Sequence, residues 1–467
     1  MSLKKEHVFL LVQSGYSAKN FVLSGFVNQK EVKTTFWSDQ DYIEQYNIKN
    51  KVVHLPKQAY SAKLNFLQKI KNRAEIFFNS KTFKNEDYKF YLIGISKNTS
   101  LRVQLKNFLI TTIATLFSTE KGIAYLDKPF YKITRKTSYY KACKEQLLQH
   151  KPTMVFCTHQ RASSGVAPML AARDLGIKTV CFIHSWDNIP KGALLIKADE
   201  YFVWSAYMKD EMQAHYPFIK ASEIKITGTP QFMPYFNEEY RLERAEFFAQ
   251  FHLDPSKKYI LYSGNDKTTS PNDPDYLSDV CEAVLKLNAK SKEVYSVLFR
   301  PNPIDRNDGF DTVLEKYATI VKELQPNWFG AETFLWNQGG PSKKDIVLLI
   351  NTILHADLVV NMGSTMALDA ALLNKATCYI NYDIAESSYN WSVKKTYRFI
   401  HFKIIKDLDA VFWIKNRNNV LKVIEDALKN SSKTLKGREQ WINRVTMLPI
   451  EETNKRMWNY LIHTDEV

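Results

Sequence analysis

The sequence FIHSWDNIPKG places four side chains that could do chemistry directly after an apolar run that ends at Ile183. The run is β-branched and aromatic, which predicts a buried strand. His184 and Asp187 could take a proton from a substrate hydroxyl, and Trp186 and Asn188 could contact the same substrate. Two structural alternatives stand beside this interpretation: Asp187 could cap the next segment, and Trp186 could pack against the next helix.

Two further turns in the first half of the chain could contribute to the same site. The apolar run TMVFCTH leads into THQRASSG, so His159 and Arg161 would follow the end of a strand. The first apolar run, HVFLLVQ, leads into SGYSAKN, which supplies Gly15, Tyr16 and Lys19. This turn is not the GxGxxG fingerprint of dinucleotide binding. A lone histidine is more often structural than catalytic, but polar groups at several neighbouring strand ends favour a site.

In the second half, the stretch NMGSTMALDAALLN predicts a strand, a close turn at Gly363 and a helix. Ser364 and Thr365 would then lie where backbone amides are exposed, which suits a phosphate or diphosphate. An ordinary helix cap would have the same sequence. Asp369 lies too far into the predicted helix to cap it.

Two other predicted strand ends in this half carry small polar groups or a cation. The turn SGND supplies Gly264 and Asn265, and RPNP supplies Arg300 and Asn302. Arginine is the side chain best suited to bidentate phosphate binding. One such turn is weak evidence for a site, but several in a single sheet predict an anion site.

The elements that must position these groups alternate between short apolar runs and helix-like stretches, which predicts βαβ units and parallel sheets. We predict an α/β fold with one Rossmann-like domain at 1–235 and another at 236–435. A helical, basic insertion would span about 60–150, and 436–467 would form a C-terminal helix that packs back on the first domain. Ligands of such sheets lie beyond the carboxyl ends of the strands.

Three local predictions go with this outline. A strand-like stretch interrupts the insertion at 90–96, a helix is expected near 311–324, and one charged helix is expected near 436–461.

Composition narrows the classes of protein. The formal net charge is +15 with 13% aromatic residues, which suggests an anionic small molecule, an anionic membrane or nucleic acid. The lysines are dispersed and no nucleic-acid-binding motif is present, so we expect no nucleic-acid partner. The five cysteines are scattered singly, which argues against a zinc site and for a reducing compartment.

The N-terminal apolar run is too short for a signal peptide, and no stretch is long enough to span a bilayer. These features predict a cytoplasmic protein. The basic, aromatic-rich block at 60–136, which includes Lys71 and Arg73, could contact an anionic membrane at the inner face of the cytoplasmic membrane, or it could be a solvated helical face.

Together, the linker ITGTPQF, the loop SWDNIPKG, the strand YFVWS and the stretch GSTMALDAALLNKATCYI resemble GT-B glycosyltransferases. The chain is most similar to bacterial surface-polysaccharide enzymes, including the CDP-glycerol glycerophosphotransferase-like branch. The resemblance covers most of residues 150–385. It implies two Rossmann-like domains that face a central cleft, a nucleotide-activated sugar as donor, a cell-surface glycan or lipid-linked acceptor, and no cofactor.

The resemblance places the nucleotide in the second domain, at Gly264, Arg300, Ser364 and Thr365. The positions of the other residues at strand ends give them their expected roles. The second domain would bind the donor through Gly264, Asn265, Arg300, Asn302, Gly363, Ser364, Thr365 and Asp369. The first domain would bind the acceptor through Gly15, Tyr16, Lys19, Arg161, Trp186 and Asn188. Asp187, His184 and His159 would be catalytic. The sequence has no DxD between apolar strands, so the reaction is expected to need no metal. Some relatives carry His-Pro where this chain has Asn302-Pro303, which leaves the nucleotide base open.

Three alternatives share the sequence features. A polyol-phosphate transferase would use CDP-glycerol on the same fold, and a sugar-nucleotide 2-epimerase would share the architecture. The epimerase needs an Arg- and Glu-rich loop that we do not find in the sequence. A binding module without activity is the third alternative, and the polar strand ends in both halves argue against it.

Overall fold

The backbone divides into two units, each built on its own parallel sheet. A computed structural model describes residues 6–38, 41–59, 61–92, 100–304, 307–329, 339–387, 389 and 391–462. The first unit comprises Met1–Thr229, Phe399–His401 and Val445–Val467, and the second comprises Pro230–Arg398 and Phe402–Arg444. The predicted boundary at residue 235 lies a few residues beyond this division.

The first unit is organised around a seven-stranded sheet in the order β3-β2-β1-β4-β5-β6-β7, in which every pair is parallel. Its strands are β1 (His7–Val12), β2 (Lys33–Ser38), β3 (Lys51–His54), β4 (Met154–Cys157), β5 (Lys178–Phe182), β6 (Glu200–Val203) and β7 (Ile224–Ile226). The central strands are continuous apolar runs because helices cover both faces of a parallel sheet.

The helices of the first unit include the predicted insertion. They are α1 (Gly15–Leu23), α2 (Ala62–Thr82), α3 (Leu101–Leu116), α4 (Glu120–Thr134), α5 (Ser138–His150), α6 (Val166–Asp174), α7 (Ala206–His215) and, near the end of the chain, α16 (Thr453–Ile462). Helices α2 to α5 lie between β3 and β4 in the chain, so the insertion enters where the strand order changes direction.

The second unit contains a six-stranded parallel sheet in the order β10-β9-β8-β13-β14-β15 and a small antiparallel pair. The strands are β8 (Lys258–Ser263), β9 (Tyr295–Arg300), β10 (Val321–Glu323), β11 (Trp328–Phe329), β12 (Gly340–Pro341), β13 (Leu358–Asn361), β14 (Thr377–Ile380) and β15 (Phe412–Ile414). The helices are α8 (Arg244–Gln250), α9 (Asp273–Asn288), α10 (Gly309–Lys316), α11 (Lys343–His355), α12 (Met366–Leu372), α13 (Val393–Thr396), α14 (Val420–Lys429) and α15 (Leu435–Val445).

Three local predictions need correction. The helix expected near 311–324 ends at Lys316, and its last residues form β10, because they pair with β9 at the edge of the sheet. The strand expected at 90–96 does not begin at Phe90, since Glu86–Tyr91 is a 3-10 helix, and 93–96 lie outside the described residues. The single helix expected near 436–461 is two helices, α15 and α16, separated by a turn.

Helix α16 packs within the first unit, against the start of the chain. The Trp458 ring stacks on Phe26 with ring centroids 4.5 Å apart, and the Trp458 indole N–H donates to the Phe26 carbonyl. Arg456 donates to the Thr227 carbonyl, and Asn454 donates to Ser24. Of the helices in the described ranges, none is long and apolar enough to cross a bilayer.

Candidate functional site

The polar strand ends predicted from sequence cluster where each sheet reverses its strand order. In the first unit the order changes direction between β1 and β4, and in the second between β8 and β13. The connections that leave two such strands diverge to opposite sides of the sheet, which opens a crevice at their carboxyl ends, where ligands of α/β sheets bind. The candidate site is therefore described as two clusters, one in each unit.

A pair of histidines forms the centre of the first cluster. His159 follows β4 and His184 follows β5, and their rings stack nearly parallel with centroids 4.1 Å apart. Burial, helped by the neighbouring His184 and Arg161, lowers the pKa of His159 well below its usual value. Burial also lowers the pKa of His184 to about 4, although the Asp187 carboxylate opposes that shift. Both imidazoles are therefore neutral at pH 7 and can accept a proton.

The His pair is held by short polar contacts from neighbouring loops. The side chain of Gln160 accepts from the His184 backbone N–H at 2.9 Å, and its amide donates to Asn188. The Ser17 hydroxyl, in the first turn of α1, lies 3.4 Å from His184 Nδ1. These contacts connect the His184 backbone to the turn after β4 and the His184 ring to the first turn of α1.

The loop that carries Asp187 is a tight double turn. The Asn188 N–H donates to the Ser185 carbonyl, and the Lys191 N–H donates to the Asn188 carbonyl. Gly192 closes the turn with φ +67°, a left-handed conformation that favours glycine. The loop therefore has a fixed shape set by its own backbone hydrogen bonds.

Asp187 is an ion-paired carboxylate within this loop. It pairs with Lys191, one turn further along, and accepts from the Asn188 side chain at 3.0 Å. Burial alone would raise the pKa of Asp187, but Lys191 and His401 outweigh it and hold the pKa well below its usual value. Asp187 is thus a permanent negative charge near His184, and its predicted catalytic role remains a prediction.

His401 and Trp186 complete this side of the cluster. Although His401 is distant in sequence, Phe399–His401 belongs to the first unit, and its ring meets the edge of Trp186 at 5.5 Å. The Tyr91 hydroxyl lies 3.0 Å from His401 Nδ1. Trp186 is buried, as the packing alternative for this residue requires, and no observation tests its predicted contact with a substrate.

Buried charged side chains on α2 of the insertion contact the backbone at Leu194, just after the Asp187 loop. Lys71 donates to the Leu194 carbonyl at 2.9 Å, and the Glu75 carboxylate accepts from the Leu194 N–H at 3.2 Å. Lys71 also pairs with the buried Asp127 of α4 at 2.8 Å. The prediction that placed Lys71 and Arg73 on a basic surface of the insertion is wrong, because both side chains are buried.

The remaining predicted residues of the first unit lie at the ends of β1 and β4. Gly15 begins α1, and the buried Lys19 lies one turn further, with its ammonium 6.0 Å from the centre of the Tyr16 ring. Lys19 is close enough to His184 to lower the pKa of that imidazole. The Arg161 N–H donates to His159 Nδ1 at 3.2 Å. The structure therefore brings Lys19 and Arg161 to the His pair.

In the second cluster, the turn after β8 is tied to the turn after β13. The Asn265 amide donates to the Met362 carbonyl at 3.2 Å, and the Asn265 N–H donates to the Asp273 carboxylate at 2.7 Å. Burial raises the pKa of Asp273 to about 6. A Cβ added to Gly264 would lie 3.0 Å from the Phe299 ring, so a larger residue here would require that ring to shift.

Gly363, Ser364 and Thr365 form the exit from β13. Gly363 has φ +63°, and the Ser364 N–H donates to the Asn361 side chain at 3.0 Å. The Ser364 hydroxyl accepts from the Met366 N–H, while Thr365 makes no side-chain cap. Thr365 is exposed, so its hydroxyl is accessible at the carboxyl edge of the sheet.

Arg300 is engaged in a buried ion pair. Its Nη2 donates to both carboxylate oxygens of Asp345 at 2.9 Å, and both side chains are almost fully buried. The other terminal nitrogen, Nη1, is buried without a hydrogen-bond partner within the described residues. Asp369 interacts with the buried Tyr235 hydroxyl, which Arg300 also influences. The Asn302 side chain accepts from the Ile304 N–H.

Sequence reasoning missed several members of both clusters, namely Ser17, Gln160, Lys191, His401, Tyr235, Asp273 and Asp345. Lys191 could have been found, because it lies four residues after Asp187 in the same loop. Gln160 could also have been found as the neighbour of His159. His401 gave no signal, since only the tertiary fold brings it to Trp186. Within the described residues, no three His, Cys, Asp or Glu side chains are placed to hold a metal ion.

Comparisons with known proteins were informative only at the level of structure. A scan against models of protein families found no match, and a search of curated proteins found no relative. The solved structure of UDP-GlcNAc 2-epimerase from Neisseria meningitidis bound to UDP-GlcNAc is similar, with a TM-score of 0.54 and 11% identity. That match covers 98% of this chain and 99% of the other.

Two other similar structures are named as a glycosyltransferase and a polymerase. A glycosyltransferase from Rickettsia africae matches with a TM-score of 0.52 and 11% identity, covering 99% of this chain and 100% of that chain. The wall teichoic acid polymerase TagF matches with a TM-score of 0.50 and 10% identity, covering 99% of this chain and 89% of that chain. Identities this low show the fold and nothing finer. The chain therefore has the predicted α/β fold of the GT-B type, with a parallel sheet in each of two Rossmann-like domains.

Proposed function

We propose that this protein is a glycosyltransferase that moves a sugar from a nucleotide-activated donor to a cell-surface glycan or lipid-linked acceptor, without a metal. The observation that carries the proposal is the stacked, neutral His159–His184 pair at the point where the first sheet reverses its strand order. A transferase needs a proton acceptor for the attacking hydroxyl, and a neutral buried imidazole can serve as one.

His184 is the proposed proton acceptor. The acceptor hydroxyl oxygen bonds to the anomeric carbon, the bond from that carbon to the donor phosphate breaks, and the nucleoside diphosphate leaves with the bonding electrons. The hydroxyl proton passes to His184. Asp187 is close enough to oppose the fall in the pKa of His184, so its carboxylate stabilises the imidazolium that forms.

The second unit is the proposed donor-binding domain. The turns after β8 and β13, joined by the Asn265–Met362 hydrogen bond, lie at the reversal point of its sheet. The accessible Thr365 hydroxyl and the backbone around Gly363 would contact the diphosphate. Arg300 would contribute through its charge rather than by direct contact, because Nη2 is bound to Asp345 and Nη1 is buried.

The acceptor-binding groups are proposed to come from the first unit, with Lys19 and Arg161 beside the His pair and Tyr16, Trp186 and Asn188 around it. A lipid-linked acceptor would place the protein in the cytoplasm, at the inner face of the membrane. The CDP-glycerol-dependent transferase and the sugar-nucleotide 2-epimerase are alternatives on the same fold, and the assay below separates them.

The test is donor turnover with purified protein and a panel of UDP-, GDP-, CMP- and CDP-linked compounds, with nucleotide release as the readout. Release of nucleotide from a sugar donor that rises with acceptor supports the proposal. Turnover only with CDP-glycerol supports the polyol-phosphate alternative. Conversion at sugar carbon 2, with solvent deuterium incorporated there, supports the epimerase. The absence of any turnover refutes all three.

The residue-level test compares His184→Gln with His252→Gln, an exposed histidine of the second unit. We expect His184→Gln to lower turnover by about 100-fold or more while nucleotide affinity is unchanged, since general-base catalysis contributes about 10²–10⁴-fold. The His252→Gln control should match wild type. Normal turnover in His184→Gln would refute its role as the proton acceptor.

A further inference from the structure

Helix α3 presents an apolar face to solvent. Leu101, Phe108 and Leu116 are 72%, 72% and 73% exposed, and Leu105 and Leu109 are also exposed. Their spacing of four, three, one and seven residues along the helix places them on one side, as helical periodicity requires. A contiguous stripe of this kind is unusual, because soluble proteins rarely expose large apolar patches without a partner.

The opposite face of α3 already has its packing partner. Ile110 and Ala114 are fully buried and join a core cluster with Ile70 and Ala74 of α2. The Arg73 guanidinium donates to the Asn107 carbonyl at 3.1 Å, which fixes α3 on α2. The exposed stripe is therefore not part of the core that holds the insertion together.

Cations lie beside the stripe on α3 and follow it in the sequence. Arg102 and Lys106 are exposed on its flank, and the segment 100–137 contains seven Lys or Arg residues but only two Asp or Glu residues. One of those two acids, Asp127, is buried and paired with Lys71 and Lys197, so it does not balance the surface charge. The outer surface around α3 is therefore both apolar and positively charged.

The charges beside the stripe favour one of two possible partners, a second copy of the chain or a bilayer. A second copy of the chain would place this patch against another that also carries Arg102 and Lys106, because a two-fold interface joins identical patches. A bilayer with acidic lipids instead supplies acyl chains for the leucines and phosphates for the cations. The helix is about 24 Å long at 1.5 Å per residue, which suits a helix lying in the interface rather than one that crosses it.

We infer that α3 docks the protein on an anionic bilayer, with Leu101, Leu105, Phe108, Leu109 and Leu116 in the acyl boundary and Arg102 and Lys106 at the lipid phosphates. This inference deepens the proposed function, which places the protein at the inner face of the membrane, and it holds whichever group the enzyme transfers. Its test involves no turnover, so its failure and that of the proposed function are distinguishable.

The first experiment is flotation of the full chain with vesicles of phosphatidylcholine alone or with phosphatidylglycerol, at low and high salt. We expect wild type to float with the anionic vesicles at low salt and to lose most binding at high salt. The double variant Leu105→Gln/Phe108→Gln should bind at least about tenfold more weakly, because apolar burial is lost. Arg102→Gln/Lys106→Gln should bind more weakly and depend less on salt. The matched control, Leu285→Gln/Lys286→Gln, changes exposed residues of the second unit and should bind like wild type.

A second readout reports the contact directly. All five native cysteines are buried, so a cysteine introduced in Phe108→Cys can be labelled selectively with an environment-sensitive fluorophore. We expect its emission to rise and shift to the blue on anionic vesicles, and Leu285→Cys to show no change. Equal flotation of wild type and both α3 double variants, or an unchanged signal at Phe108→Cys, would overturn the inference. It would also be overturned if wild type sedimented as a dimer and the Leu105→Gln/Phe108→Gln variant as a monomer.

Discussion

The ion pair between Asp187 and Lys191 allows electrostatic support of His184 to be separated from structural support of the loop. Asp187→Asn removes the negative charge but keeps the shape of the side chain and its acceptor oxygen for Asn188. Lys191→Met removes the positive charge and keeps most of the aliphatic stem. Each variant breaks the ion pair, but the two change the charge near His184 in opposite directions.

The magnitude follows from burial. Exposed ion pairs contribute about 0–1 kcal/mol, and removing one partner of a fully buried pair costs about 3–5 kcal/mol. The side chains of Asp187 and Lys191 are 15% and 26% exposed, which places this pair between the two cases. We therefore expect a coupling free energy of about 2 kcal/mol in a double-mutant cycle of unfolding by denaturant.

Turnover should separate the two variants. Because the Asp187 carboxylate opposes the fall in the pKa of His184, Asp187→Asn should weaken that base and lower kcat by up to about tenfold per pKa unit. Lys191→Met leaves the carboxylate in place, so kcat of its folded fraction should stay near wild type. A coupling free energy below about 0.5 kcal/mol, together with normal kcat in Asp187→Asn, would refute the reasoning.

Four further outcomes are expected from the buried groups. The pKa of His184 is lowered to about 4, so the unfolded chain binds its proton more readily than the folded protein does. The free energy of unfolding should therefore fall by about 3 kcal/mol as the pH drops from 6.5 towards 4. Denaturant titrations of His184→Gln should show a smaller loss over that range. The pH dependence due to Asp273 has the opposite sign, because its pKa is raised to about 6 and the free energy of unfolding falls as the pH rises from about 4 to 6. Asp273→Asn should therefore gain about 3 kcal/mol relative to wild type between pH 4 and pH 7. A difference that stays constant with pH would contradict this. Asp345→Ala should destabilise the second unit by about 3–5 kcal/mol by leaving Arg300 unpaired, whereas Arg300→Met/Asp345→Leu should cost less. Equal losses in the two variants would show that the unpaired Arg300 charge is not the cause. Gly437→Ala should lower the melting temperature, since its Cβ would lie 2.3 Å from the Asp409 carbonyl and overpacking costs about 1–3 kcal/mol. An unchanged melting temperature would show that α15 can shift.

The parallel sheets could be predicted because their strands are continuous apolar runs separated by helix-like stretches. β1, β5 and β13 were each located within about two residues, and the turns that follow them carry the polar groups that gather in the two clusters. Edge elements were harder. β10 was taken for the end of a helix, since a short and partly exposed edge strand has little apolar pattern of its own.

What each polar side chain contacts could not be predicted from its own segment. Arg300 was expected to face a phosphate, but Asp345 lies 45 residues later and pairs with it only through the fold. Asp187 was expected to act as a base, whereas Lys191 and the distant His401 lower its pKa. Lys71 looked like part of a basic surface, but the carbonyl of Leu194 and the carboxylate of Asp127 hold it in the interior.

The return of α16 to the first unit has a consequence for how the chain folds during synthesis. The second unit is encoded between two parts of the first, so it is finished on the ribosome before the residues that complete the first unit emerge. Until then, Phe26 has no Trp458 to stack on, and the contacts joining the two ends of the first unit span more than 400 residues. Contacts of such long sequence separation form slowly, so the last step of folding should be the attachment of the C-terminal helix. A nascent chain stalled before Thr453 would then contain a finished second unit and a first unit that is still open to chaperones and proteases.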